Sequence, residues 1–356
     1  MEFTENLSVL RGKIEERMEV YIAEKKKAVL KDDFFLGSAL ANVESVILGG
    51  GKRLRGALLY QGYRAAGGKN EQAALEAAAG MEFIHAYLLI HDDIMDRDSL
   101  RHGVETLHTR YEAFAQKYFP QKDATHFGSA IAITLGDMVC AWGNDCIFGV
   151  DLPREHIKNA IRKVQEVVHR TGVGQMRDMY IEFAGTATEK EILEMYTDKT
   201  AYYSLEGPLQ IGLLLGGGNQ ELAQLFQKYA IPLGIAFQLQ DDLLGLFGNE
   251  KHLGKKVGSD IMEGKFTLLI QQTLQRATVS DQKELKRILT LGDALVPENI
   301  EWAREQVTAT GARKDIEERI STYIQEAKAV LETAELNSEV KTFLAGLAQY
   351  MSTRKH

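Results

Sequence analysis

The sequence predicts an all-α protein, and three observations carry that expectation. Segments rich in Ala, Leu, Glu and Lys repeat their apolar residues with period 3.6, only 5 prolines interrupt 356 residues, and no period-2 run competes. In chain order the periodicity predicts helices over Glu15–Leu30, Ala73–Arg97, Ser129–Gly149, Ile157–His169 and Lys314–Leu331, with a further helix-like segment at FQLQDDLLGLFG. The chain is longer than a typical domain, yet it has no linker rich in Pro, Gly and Ser, no low-complexity stretch and no solenoid repeat. It therefore reads as a single domain, residues 1–356.

A formal net charge of -8 argues against a nucleic-acid partner, which would require a basic face. The opening MEFTENLSVLRGK is acidic where a signal peptide needs a basic start. No run reaches the roughly 18 to 20 apolar residues that would span a bilayer. The expectation is a soluble, cytoplasmic protein, with Cys140 and Cys146 in TLGDMVCAWGNDC as reduced core residues.

The chemistry is concentrated in two aspartate clusters, Asp92, Asp93 and Asp96 in HDDIMDRDSLRHG and Asp241 and Asp242 in FQLQDDLLGLFG. Each lies in an apolar run, where carboxylates are costly to bury uncompensated. Residues i, i+4 and i+7 share a helix face, so His85, Asp92 and Asp96 point one way, and Gln238 groups with Asp241 and Asp242. Facing clusters of this kind offer hard oxygen ligands suited to Mg²⁺ or Mn²⁺, not zinc. Because Mg²⁺ shares its shell with phosphate oxygens, the expected ligand is a phosphorylated substrate. Cations fit that reading: Lys52 and Arg55 in GGGKRLR, then Arg101, Lys199, Lys255 and Lys265. The glycines are not a Walker loop, since GxxxxGK[ST] is absent.

The order GGGKRLR, EFIHAYLLIHDDIMD, LRHG, GQMRDM, DKTA, FQLQDDLLGLFG and LGKKVGSDIMEGK resembles the trans-isoprenyl diphosphate synthases, the polyprenyl synthetase family. The resemblance runs from about Glu44 to Lys265, with a weaker helical echo in TGARKDIEERISTYIQEAKAVL. It implies an isoprenoid-synthase-type helical bundle around a central cavity, C-terminal helices over 275–356, and a homodimer.

It also implies a reaction. About three Mg²⁺ ions, replaceable by Mn²⁺, would be held by Asp92, Asp96 and Asp241, with Asp93 and Asp242 among the metal residues and Gln175 and Asp178 around the metal-bound water. Arg101, Lys199, Lys255 and Lys265 would neutralise an allylic diphosphate. Lys52, Arg55, His85 and His102, with Phe237 nearby, would hold isopentenyl diphosphate. Ionisation would leave a carbocation facing the dipoles of the Thr200 hydroxyl, the Lys199 carbonyl and the Gln238 amide, and the departing diphosphate would take the final proton.

Two positions depart from the family pattern. His102 stands where a second arginine usually follows Arg101, which points to weaker or pH-sensitive binding. Gly245 stands where the second motif would carry a third carboxylate.

An aromatic five residues before the first aspartate, with no insertion in the motif, resembles short-chain synthases making the C20 geranylgeranyl product. Here it is Tyr87, followed by Leu88. An ideal helix sets Leu88 nearer the Asp92 face, at roughly 40° against 140° for Tyr87. The C15 farnesyl product is the alternative. A terpene cyclase would lack the second DD motif, and a non-catalytic partner subunit would have lost one aspartate cluster. This chain keeps both.

Overall fold

The computed structural model describes residues 3–28, 33–101, 103–248 and 258–353, and these are helical apart from connections and one two-stranded hairpin. Two compact units divide the chain, Met1–Ile161 with Pro208–Asn219, and Arg162–Gly207 with Gln220–His356.

In the first unit lie α1 (Phe3–Ala28), α2 (Phe34–Leu48), α3 (Leu54–Ala65), α4 (Glu71–Met95), α5 (Leu107–Tyr118), α6 (Ala124–Phe148) and the start of α7 (Arg154–Ala184). The core helix is α4. Asn70 caps it by accepting the Ala73 amide, and Ala77, Ala78, Met81, Phe83 and Ile84 are essentially fully buried. A β-carbon on Gly80 would sit 2.8 Å from the Gly143 carbonyl oxygen, and one on Gly143 equally close to that of Gly80, so α4 and α6 cross backbone to backbone. Phe83 fills the rest of the crossing, its ring 5.4 Å from Tyr21 and 6.0 Å from Trp142. Burying such a ring contributes about 1.5–3 kcal/mol. The last turn of α4 then emerges with its aspartates on a rigid base.

In the second unit α8 (Glu189–Tyr196) opens on a Thr188–Glu191 capping box. Thr197–Glu206 follows as a π-helix; next in the chain comes α9 (Gly207–Leu215), which from Pro208 on belongs to the first unit. The spine is α10 (Gln220–Phe247), with Phe226, Tyr229, Leu233 and Leu239 buried on its core side. Pro232 withholds one backbone donor inside it. The Tyr229 hydroxyl and Gln240 Nε2 donate to the Leu344 and Met351 carbonyls at 2.7 and 2.6 Å, fastening the C-terminal helix Ser338–Thr353 to α10. Shorter helices at Ser259–Glu263, Leu268–Arg276, Val279–Ile288, Pro297–Ala309 and Ala312–Glu332 complete the unit.

The expected helices are present with shifted ends: Glu15–Leu30 lies largely within α1, Ala73–Arg97 is α4, Ser129–Gly149 is α6, and Ile157–His169 is one stretch of a longer α7. Leu30 is outside the described residues. The all-α expectation holds, and two features were not foreseen. A hairpin of β1 (Leu100–Arg101) and β2 (Val104–Glu105) pairs antiparallel, too short for periodicity to register. And α4 and α6 are each long and apolar enough to cross a membrane, contrary to the reading of the run lengths. In α4 72% of the apolar window is buried in the protein, against 39% in α6.

Candidate active site

In the first unit GGGKRLR turns sharply before α3. Arg53 takes a left-handed backbone at φ 53°, and its buried guanidinium donates to Glu15 Oε1 at 3.0 Å and to the Ile47 carbonyl at 2.8 Å. That bolt fixes the loop. Lys52 is exposed, and Arg55 is half-buried with Nη1 donating to His85 Nε2 at 3.0 Å. The structure thus brings together Arg55 and His85, 30 residues apart. Below them Glu82, 3% exposed, accepts the Gly56 amide at 2.7 Å. Burial pushes its carboxyl up, while Arg53, that amide and Arg55 pull it down. The sequence reading missed Glu82, although a glutamate inside the apolar run GMEFIH was itself a signal.

At the end of α4, Asp92 and Asp96 are half-buried, but Asp93 turns inward, 2% exposed, and pairs with Arg101 Nε. Burial pushes its carboxyl up to about 7 against the pull of Arg101. Asp93, grouped with the metal residues in the sequence reading, here pairs with Arg101 and is set into the protein. Arg101, on β1, also stands 3.7 Å from Asp92 Oδ2 and 3.3 Å from Asp98 Oδ2, so three carboxylates hold its guanidinium. Asp98 was not foreseen. His102 lies outside the described residues. Tyr87 is buried on the α6 side, its ring 5.6 Å from that of His91, and its hydroxyl is raised by burial and by nearby Cys140 and Asp137. Leu88 is half-buried.

In the second unit Lys199 and Thr200 stand on the π-helix. A β-carbon on Gly174 of α7 would be 2.4 Å from the Lys199 amide nitrogen, so α7 presses on the π-helix backbone. One turn along α7, Asp178 accepts Lys199 Nζ at 2.6 Å, so it serves as the lysine's counter-ion. Gln175 is half-buried, as is Phe237.

Thr200 donates to Gln238 Oε1 at 2.6 Å, Gln238 Nε2 donates to Asp242 Oδ1 at 2.9 Å, and Tyr196 donates to Asp242 Oδ2. Asp242 is buried, with its carboxyl pushed up to about 8 by desolvation, while Asp241 beside it is half-buried. A β-carbon on Gly245 would lie 2.3 Å from Asp260 Oδ2, so the carboxylate missing from DDLLG arrives from the Ser259–Glu263 helix. Lys265 is paired with Glu263 at 2.8 Å, and Lys255 lies outside the described residues.

Helices that present carboxylate pairs with lysine and arginine in this order define a class. The polyprenyl synthetase family model matches residues 38–307, and the chain belongs to that family. It is a prenyl diphosphate synthase, a transferase of prenyl groups. It is 33% identical over 307 residues to a geranylgeranyl diphosphate synthase of Methanosarcina mazei, covering 86% of this chain and 87% of that one. To a short chain isoprenyl diphosphate synthase of Methanothermobacter thermautotrophicus it is 35% identical over 88% of this chain and 89% of that one. A geranylgeranyl pyrophosphate synthase of Corynebacterium glutamicum, solved with isoprenyl diphosphate and magnesium, superposes over 100% of both chains at a TM-score of 0.92 and 32% identity.

Proposed function

We propose that the chain condenses isopentenyl diphosphate with an allylic diphosphate (dimethylallyl, geranyl or farnesyl) and releases geranylgeranyl diphosphate. The observation that carries this is the π-helix, which sets the Lys199 ammonium, a phosphate-seeking cation, next to the Thr200–Gln238 pair, whose oxygens suit a carbocation.

The donor set fits a divalent metal. Asp92, Asp96 and Asp241, with Asp260, are hard oxygen donors, and among the described residues no three His, Cys, Asp or Glu side chains close into a metal cage. Mg²⁺ suits such open sites, since it binds through one or two carboxylates and fills its shell with water and substrate phosphate. About three ions, with Mn²⁺ as a substitute, is the reading offered by the family resemblance. Bound there, the metal supplies charge neutralisation for a departing diphosphate.

The chain's own groups do the rest. Lys199, steadied by Asp178, binds the allylic diphosphate. Arg55, steadied by His85, and Lys52 anchor isopentenyl diphosphate, with Phe237 beside it. Arg101 sets Asp92 by charge while Asp93 and Asp98 hold Arg101. The allylic C–O bond breaks, the isopentenyl double bond adds to the cation, and the departed diphosphate takes the proton. Lys265 acts more distantly, through Glu263.

Tyr87 and Leu88 set product length. The chain works as one domain, supported by a family model that spans both units, and as a homodimer through α6, whose apolar face is little covered and exposes Ile133 at 46%. A cytoplasmic location accords with two free cysteines. Purified chain incubated with Mg²⁺, isopentenyl diphosphate and farnesyl diphosphate should yield a C20 product. A C15 product from geranyl diphosphate that is never extended would replace this reading with the farnesyl one.

A further inference from the structure

Tyr196 ends α8 at the threshold of the π-helix, and its hydroxyl is sealed from solvent with the residue 2% exposed. The hydroxyl accepts the Leu268 amide at 3.0 Å and donates to Asp242 Oδ2. Four residues after Tyr196 and four before Asp242, Thr200 meets Gln238 at 2.6 Å. The two contacts are rungs of one ladder, Tyr196 to Asp242 and Thr200 to Gln238, joined along α10 by the 2.9 Å bond from Gln238 to Asp242.

Donor and acceptor counting fixes the sense of every rung. A backbone amide only donates and, with Asp242 ionised, its carboxylate only accepts, so the Tyr196 proton goes to Asp242. With its second oxygen Asp242 claims the Gln238 NH₂ group. The Gln238 carbonyl must then face Thr200, and the single Thr200 proton goes to it. Turning the amide over would set its carbonyl against a carboxylate. The ladder therefore leaves Thr200 with only its lone pairs to offer, and Gln238 with its remaining oxygen lone pair on the same side.

We propose that Tyr196 is a positioning residue for prenyl transfer: by holding Asp242 it locks the Gln238 amide and the Thr200 hydroxyl with their oxygens presented to the carbocation. This rests on the roles proposed above for Thr200 and Gln238. Tyr196 also ties in the start of the Leu268–Arg276 helix, whose Leu268 amide donates to its hydroxyl.

The test is Tyr196→Phe in the full-length chain, which keeps the ring and removes the hydroxyl. Its kcat should fall about tenfold or more, with KM for both diphosphates within about twofold of wild type. In a Thr200→Val background the same change should cost less than about twofold, because both substitutions break one ordered chain. Penalties that multiply, or a kcat for Tyr196→Phe within twofold of wild type, overturn the proposal. If Tyr196→Phe does not fold, Tyr196→Met, flexible and also without a hydroxyl, decides by the same readouts: a kcat about tenfold down with both KM values held supports the proposal, and a kcat within twofold of wild type overturns it. A wild-type chain that forms no prenyl product would instead count against the proposed function, which separates the two failures.

Discussion

Gly245 and Asp260 occupy one space: the Asp260 carboxylate lies where a side chain at 245 would begin, 2.3 Å from the position of its β-carbon. The Gly258 amide adds a 2.8 Å bond to the Gly245 carbonyl, which anchors the start of the Ser259–Glu263 helix at this point of α10. The absence of a side chain at 245 is thus the condition for a carboxylate from another helix to join Asp241 and Asp242. Desolvation raises the Asp242 carboxyl most, and the negative charge of Asp260 adds to that rise.

Substituting either partner should weaken metal use. Gly245→Ala displaces Asp260, and Asp260→Asn removes its charge, so both should raise the Mg²⁺ concentration for half-maximal rate by about tenfold. Asp241→Ala should cost two to three orders of magnitude in rate, roughly the scale of a lost electrostatic stabiliser. A Mg²⁺ titration of initial rates checks all three, and an unshifted titration for Asp260→Asn would remove it from the metal site.

The two diphosphate sites should separate by mutation. Lys52→Ala and Arg55→Ala should raise KM for isopentenyl diphosphate, and Lys199→Ala should mainly impair use of the allylic substrate. Each loses a charge-assisted bond of about 1.5–3 kcal/mol, equivalent to roughly ten- to hundredfold. Steady-state kinetics with one substrate varied at a time would show it. An isopentenyl KM unchanged in Lys52→Ala argues against the role of GGGKRLR.

Glu82 should matter to stability first. Glu82→Ala strands the Gly56 amide and removes a carboxylate that interacts with Arg53 and Arg55. The loss should be about 1–3 kcal/mol, the cost of a buried unsatisfied group. Urea denaturation of the variant would register it, and an unchanged midpoint would mean the site relaxes around the deletion.

Product length should respond to α4. Tyr87→Ser opens space beside α6, and each CH₂ of a longer tail buried there gains about 0.8 kcal/mol, so products should lengthen. Leu88→Phe should shorten them. Chromatography of the products tests both, and parental products from both variants would place the floor of the cavity elsewhere.

Much of this was legible in the sequence because helices advertise themselves by period, and α4, α6 and α10 carry long periodic runs. The inward turn of Asp93 follows from the roughly 100° a helix rotates between Asp92 and Asp93, but the sequence reading kept Asp93 with the metal residues. What the sequence hid depends on contacts between distant segments. The π-helix at Thr197–Glu206 leaves no periodic trace, because it is set by how α7 and α10 press on it at Gly174 and Gly234. The roles of Tyr196 and Asp260 were hidden for the same reason: each meets α10 from another helix, and although Asp260 lies in LGKKVGSDIMEGK nothing in that run shows the contact.

The most direct measurement is product formation by the purified chain from farnesyl and isopentenyl diphosphates, with Mg²⁺ and then with excess EDTA. The account predicts a C20 prenyl diphosphate with the metal and none in chelator. Full turnover in excess EDTA, or no prenyl product with Mg²⁺ present, would contradict it.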